Sequence, residues 1–368
     1  MRIGFDAKRA FQNRTGLGNY SRTLLNNLNN FFSQEEYILF APKKNTEYSD
    51  QFRDNAIITP SGNSILWRSF GIKKDMQAAG IDLFHGLSNE LPFGMRRSGI
   101  PSVVTIHDVI FDIIKDDFPW HDRWIYRLKT KKCIEESTKI IAISQSTRND
   151  IIRFFGADPD KIHVIYQPID HQFEHPEFTP AKLETIRQKY QLPDQYLLYV
   201  GALMRRKNVL PMIQAWQQLP TEYQFPLLIF GEGNQYRQEI AQYLRTHHLE
   251  GQVQIRNRMP FEDLPSVYHM SQSVIYPSLY EGFGLPVAEA LACGSRVVTS
   301  SVSSMPEAGG PLCSYVDPMD IDSIADGIVR SLQSERPHPD AVEKHLSRFD
   351  SFTLTQQIIN LYRELCGN

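Results

Sequence analysis

Short runs of β-branched and aromatic residues recur almost from end to end of this chain, each followed by a segment long enough for a helix. In the first half they are "RIGFDA" (2–7), "YILFAP" (37–42), "SVVTIHDV" (102–109), "KIIAIS" (139–144) and "IHVIY" (162–166). Such nearly continuous apolar runs are what strands buried on both faces of a parallel sheet require. The rhythm pauses over a proline- and charge-rich stretch at 167–195 and restarts with "YLLYVGA" (196–202). "PLLIFGEG" (226–233), "VQIRN" (253–257), "SVIYPS" (273–278), "SRVVTSS" (295–301) and "CSYVD" (313–317) follow. The pattern predicts two α/β units in tandem, with chemistry in the loops beyond the carboxyl ends of the strands.

Length agrees, because 368 residues exceed what one core usually fills. The formal charge of -3, from 39 basic and 42 acidic residues, gives no global reason to expect nucleic acid. Four cysteines, Cys133, Cys293, Cys313 and Cys366, lie too far apart for a zinc or disulfide framework. The first residues enter a strand-like run instead of an apolar signal core, and no stretch approaches the ~18 apolar residues of a membrane span. A cytoplasmic protein is expected, with peripheral membrane contact left open.

The stretch "YPSLYEGFGLPVAEALACG" (276–294) carries two glutamates, Glu281 and Glu289. A strand should end at Ser278, and Pro286 suits the first turn of a helix, so Glu281 falls in the loop and Glu289 about one turn inside. Between them Phe283, Gly284 and Leu285 offer backbone N–H groups at a helix start, a natural anion seat. Eight residues at helical rise separate the carboxylates by ~12 Å. That is too far for a glycosidase pair, which needs ~5–9.5 Å. Spacing alone leaves open a two-ended grip on a longer ligand or a solvated helix glutamate beside a chance loop glutamate.

Other strand-end loops carry charge or glycine. "GALMRRKNV" (201–209) offers Arg205, Arg206 and Lys207 to an anion, or is an exposed basic turn. "NRTGLGNYSRTLL" (13–25) is a glycine-rich helix opening with Gly16, Leu17 and Gly18 as phosphate-facing candidates, or a plain tight turn. His107 and Asp108 close "VVTIHD", while His85 in "FHGLSNELP" and Ser144 in "IIAIS" stand at similar strand ends. "WHDRWIYRLKTKKCIEE" (120–136) is basic and aromatic; a solvated helix packing its aromatic side is expected, in preference to docking on an anionic membrane. Two Asp-x-Asp patterns, at 158–160 and 320–322, suit a helix-to-strand turn and a helix N-cap better than a metal site.

The 276–298 stretch closely resembles the signature of the family-four retaining glycosyltransferases, nucleotide-sugar enzymes of the GT-B fold. The resemblance implies two Rossmann-like domains facing across a cleft: an acceptor-side domain over 1–170 and a nucleotide-sugar domain over 171–351. The closing helix, 352–368, would cross back to the first domain. It further implies that Glu281 grips the donor sugar, Glu289 the ribose, and the amides of 283–285 the ground between. Family members often place a basic residue directly after the glycine of the 201–209 loop and a lysine further on. Here Ala202 occupies the first place and Lys207 matches the second, so Arg206 is expected to supply the other charge on the diphosphate, with Arg205 as its neighbour. Gly16, Leu17 and Gly18 would reach the diphosphate, and His107 the sugar or acceptor. His85, Asp108 and Ser144 are the acceptor-side candidates.

The reading is a metal-independent retaining hexosyltransferase with no cofactor beyond its nucleoside diphosphate sugar co-substrate, GDP-mannose being the first expectation. Its acceptor would be a glycan or lipid-linked glycan, as in surface polysaccharide synthesis. A non-catalytic nucleotide-sugar-binding protein is the alternative. An NAD-type oxidoreductase fits less well: the glycines of "TGLGNY" start well past the first strand, and Ser21 stands where the third glycine would.

Overall fold

The computed structural model describes residues 1–13, 16–43, 48–60 and 66–367. It divides into two compact units, Met1–Pro168 with Phe349–Asn368, and Ile169–Arg348. Both are α/β, as the alternating runs predict.

The described strands of the first unit are β1 (Arg2–Asp6), β2 (Glu36–Phe40), β3 (Ala56–Ile58), β4 (Leu83–Gly86), β5 (Ser102–Ile106), β6 (Lys139–Ala142) and β7 (Ile162–Val164). They form one sheet in the order β3-β2-β1-β4-β5-β6-β7, every pair parallel. Helices pack on it because its central strands are buried along their length. The last helix, Ser351–Cys366, belongs to this unit. Its Tyr362 is wholly buried and hydrogen-bonds His85 Nδ1 at 2.5 Å, while His85 Nε2 meets Thr105 Oγ1 at 2.8 Å. Thr105 in turn meets Tyr20 Oη at 3.1 Å, so one buried polar chain ties the closing helix to β4, β5 and the helix Gly16–Phe31.

The second unit contains β8 (Leu197–Val200), β9 (Leu227–Phe230), β10 (Val253–Arg256), β11 (Ser273–Tyr276), β12 (Val297–Ser300) and β13 (Ser314–Val316), in the parallel order β10-β9-β8-β11-β12-β13. Renumbered from its own first strand this is 3-2-1-4-5-6, the doubly wound order, which the first sheet also follows through β6. The order reverses direction between β1 and β4 and again between β8 and β11. Loops leaving the carboxyl ends of those strand pairs diverge and leave room for a ligand.

The helix Trp120–Glu136 corrects one expectation. Its buried side is Thr130, Cys133 and Ile134, whereas Trp120 and Trp124 are 78% and 62% exposed. Trp120, Trp124 and Leu128 recur every four residues and therefore share one face. That face points away from Cys133, and Tyr126, though itself 44% exposed, touches the rings of Phe111 and Phe118.

Candidate active site

The switch point of the second sheet assembles the sequence-predicted charges. Lys207 closes a 3-10 turn, Arg205–Lys207, in the loop after β8, and Glu281 lies in the loop after β11. Because β8 and β11 are hydrogen-bonded neighbours, the two loops meet, and Leu279 N–H donates to Arg206 O at 2.8 Å. Lys207 Nζ donates to Glu281 Oε1 and, at 2.6 Å, to Tyr276 Oη. Arg206 Nη1 donates to Glu281 Oε2 at 3.1 Å, and Ser278 Oγ to Oε1 at 2.7 Å. Glu281 is 8% exposed. Burial alone would raise its pKa, but Lys207 and Arg206 outweigh it and hold the carboxylate down at about 2.

The three basic residues do not act together. A 3-10 turn advances about 120° per residue, so consecutive side chains point three ways. Arg206 and Lys207 share Glu281, while Arg205, expected among the donor-facing groups, lies over the Tyr236 ring and forks onto Glu239 with two 2.7 Å contacts. Asn208 follows in left-handed conformation, φ 61°, and its amide donates to Pro318 O at 2.6 Å, which fixes the turn that carries Lys207.

Beyond Glu281 the chain enters the helix Leu285–Ala292 through Gly284 at φ 105°. A side chain there would also press on Met305, 3.0 Å from the ideal Cβ position, so glycine is required on both counts. Phe283 is buried and Leu285 opens the helix. Glu289, one turn in, accepts a 3.3 Å hydrogen bond from Tyr268 Oη. Burial, with no cation among the causes, pushes its pKa up to about 8.

In the first unit the expected residues fare differently. Gly18 N–H is taken by Asn13 Oδ1 at 3.3 Å, and an added Cβ would strike Asn13 O, so this glycine serves a close chain approach. Gly16 and Leu17 open the helix; Arg14 and Thr15 of the same loop lie outside the described residues. His107 is 4% exposed, with Nε2 against Leu87 O at 2.9 Å and Nδ1 against Gln167 Nε2 at 2.9 Å. Burial lowers its pKa to about 4 and keeps the ring neutral. Asp108 Oδ1 accepts from Ile110 N–H, starting a short helix.

Two acceptor candidates are core residues instead. His85 is fully buried, with both ring nitrogens committed to Tyr362 and Thr105. Ser144, also fully buried, caps the helix Gln145–Phe155 by accepting from Thr147 N–H at 2.9 Å. A strand-end position marked both, but the closing helix covers the first and a capping turn uses the second.

A group the sequence did not announce stands in a recess beyond β1 and β4, lined by Asp6, Arg68, Ser69, Glu90, Phe93 and Lys129. Arg68 bridges Asp6, at 2.7 Å, and Glu90. Nor did spacing single out Tyr276, Ser278 or Tyr268, since hydroxyl side chains are common and carry no periodic mark. The Asp-x-Asp carboxylates are turn formers: Asp158 accepts from Asp160 N–H and Asp320 from Asp322 N–H.

Comparison with known proteins agrees with this architecture. Residues 15–173 match Glycosyltransferase Family 4 and residues 183–346 match Glycosyl transferases group 1. The chain belongs to these glycosyltransferases. It is 33% identical over 290 residues to the O-antigen chain mannosyltransferase B of Escherichia coli, covering 77% of this chain and 74% of that one. Against the serotype-specific mannosyltransferase WbdA of the same organism it is 26% identical over 263 residues, 69% of this chain but only 32% of that longer protein. Among solved structures, Anabaena Alr3699/HepE in complex with UDP and glucose superposes with a TM-score of 0.78 at 18% identity, covering 99% of this chain and 100% of that one. A glycosyltransferase from Rickettsia africae gives the same score at 17% identity, covering 100% and 99%. At such identities the likeness is one of fold, and that fold is GT-B.

Proposed function

We propose that the protein is a retaining mannosyltransferase that moves mannose from GDP-mannose to a glycan or glycolipid acceptor of a bacterial surface polysaccharide. The observation that carries this reading is Glu281 held ionised between Lys207 and Arg206 at the β8/β11 switch point. Two cations beside one carboxylate suit a site where a diphosphate leaves and a sugar must be held as it does. The mannosyl assignment rests on the 33% identical relative.

In this reading Lys207 and Arg206 neutralise the departing diphosphate, work that a divalent cation does elsewhere, so transfer proceeds without metal. Glu281 accepts from hydroxyls of the donor sugar, and Glu289 from the ribose. The amides of Phe283, Gly284 and Leu285 contact the phosphates. The acceptor hydroxyl attacks from the face that the diphosphate leaves, and the departing phosphate takes its proton, so no separate base is needed. His107, neutral and clamped by Leu87 and Gln167, shapes the sugar or acceptor side and transfers no proton. The first unit takes the acceptor, and the Asp6–Arg68–Glu90 recess is where its hydroxyls would find carboxylate acceptors. The protein would work in the cytoplasm, at the inner face of the membrane, with the exposed Trp120, Trp124 and Leu128 of one helix as its contact.

Thermal unfolding with GDP-mannose, UDP-glucose, dTDP-glucose and ADP-glucose tests the donor: GDP-mannose should raise the midpoint most, since a ligand stabilises by RT ln(1 + [L]/Kd). A larger shift with UDP-glucose would overturn that assignment. Product NMR should show an axial, retained anomeric linkage, and a chelator should leave the rate unchanged; an inverted product would sink the mechanism. Nucleotide-sugar affinity without transfer to any mannosyl acceptor would favour a binding protein.

A further inference from the structure

The backbone pairing of β11 with β12 ends at Tyr276 opposite Thr299. Beyond it, side-chain hydroxyls take over the pairing as the chain runs on to Glu281. Thr299 Oγ1 donates to Tyr276 O at 2.9 Å, and Ser300 Oγ to Ser278 O at 2.5 Å. Ser304 Oγ donates to Glu281 O at 2.9 Å, and Glu281 N–H donates to Ser303 Oγ at 3.1 Å. Both polar groups of the Glu281 backbone are thus held by neighbouring serines of one loop, and its carboxylate by Ser278 of its own.

Ser303 stands apart from the others in its backbone. Its φ is +55°, and it shares the left-handed region with only four other non-glycine residues among those described, Asn89, Gln191, Asn208 and His248. Asparagine visits that region readily, whereas serine gains little there, and glycine would take it at no steric cost. A glycine, however, could not accept from Glu281 N–H. The strained backbone persists because the hydroxyl it presents is used.

We propose that Ser303 is a positioning residue for transfer: its hydroxyl, through the Glu281 N–H, sets where the Glu281 carboxylate stands relative to Lys207, Arg206 and the donor sugar. This rests on the reading that Glu281 meets the donor. Ser303→Gly separates positioning from folding, since it relieves the strained backbone while removing the acceptor. The assay is GDP release from GDP-mannose with octyl α-mannoside as acceptor, beside thermal unfolding. Ser303→Gly should melt at or above the wild-type temperature, keep its donor KM within about twofold, and lose about ten- to a hundredfold in kcat, the scale expected when a reacting group is misplaced. Ser303→Ala, which keeps the strain and loses the acceptor, should show the same kcat loss with a lower melting temperature. Wild-type kcat in Ser303→Gly would overturn the proposal, as would a large fall in its melting temperature, which would make the hydroxyl a support of the fold. Glu281→Gln, measured alongside, separates the two levels: full activity there would defeat the reading of the site, whereas loss there with an unaffected Ser303→Gly defeats only the role of Ser303.

Discussion

Glu281 and Glu289 are both buried carboxylates on one short stretch, yet they titrate in opposite directions. Lys207 and Arg206 hold Glu281 at about 2, below its unfolded value near 4.5. Its contribution to stability is therefore complete above about pH 4.5 and is lost as pH falls towards 2. Glu281→Gln should flatten that acid limb and cost about 3 kcal/mol near pH 7, because it leaves two cations facing a neutral amide; urea unfolding at pH 3 and pH 7 measures both. Glu289 behaves the other way. Its pKa of about 8 means that stability present below about pH 4.5 drains away as pH rises through 8. Glu289→Gln should gain on the wild type in melting temperature between pH 5 and pH 9. If ribose hydroxyls donate to the ionised form, nucleotide binding at pH 7 will release a proton, which calorimetry in buffers of different ionisation enthalpy detects. The sequence exposed both glutamates and Lys207 because charge beside glycine at a strand end is a sparse signal. The pKa divergence was not legible, since it depends on a lysine 74 positions from Glu281 and on the burial of Glu289, which the tertiary packing decides.

At the scale of elements, buried strands announced themselves: "SVIYPS" and "SRVVTSS" became β11 and β12 within two residues of their expected ends. The three-residue β3 gave no such run, being a short, partly exposed edge strand. His85 and Ser144 marked strand ends correctly, but which ends a helix later covers is a matter of tertiary packing that no local window contains. The Tyr362 hydrogen bond to His85 illustrates this across 277 positions. Tyr362→Phe should leave a fully buried imidazole nitrogen without its partner and lower stability by about 1–3 kcal/mol in chemical denaturation. Gly284→Ala should cost a similar amount, about 2 kcal/mol, since it imposes a left-handed backbone on alanine and crowds Met305. Unlike Tyr362→Phe, it should also weaken nucleotide binding, because the distortion falls at the start of the helix bearing Glu289.

For the molecule as a whole, no described helix is long and apolar enough to cross a membrane. The helix Trp120–Glu136 exposes Trp120, Trp124 and Leu128 beside Arg127, Lys131 and Lys132, the face proposed above for membrane contact. Trp120→Ala with Trp124→Ala should abolish sedimentation with phosphatidylglycerol vesicles while leaving the melting temperature nearly unchanged, since exposed side chains support little of the fold. Binding by the unaltered chain should weaken with salt.

The path of the chain has a consequence for how such proteins can be recombined. Lys207, Glu281, Ser303 and Glu289 all fall within Ile169–Arg348, a single uninterrupted segment, whereas the chain returns at Phe349 to the unit it began in. A genetic exchange with one breakpoint near Pro168 would hand the first sheet a foreign closing helix and break the Tyr362–His85 contact. An exchange with two breakpoints, near Pro168 and Phe349, would replace the whole Lys207–Glu289 cassette and keep that contact native. If that segment takes the donor, as proposed, new donor preferences should spread through this family as inserted cassettes, not as swapped halves.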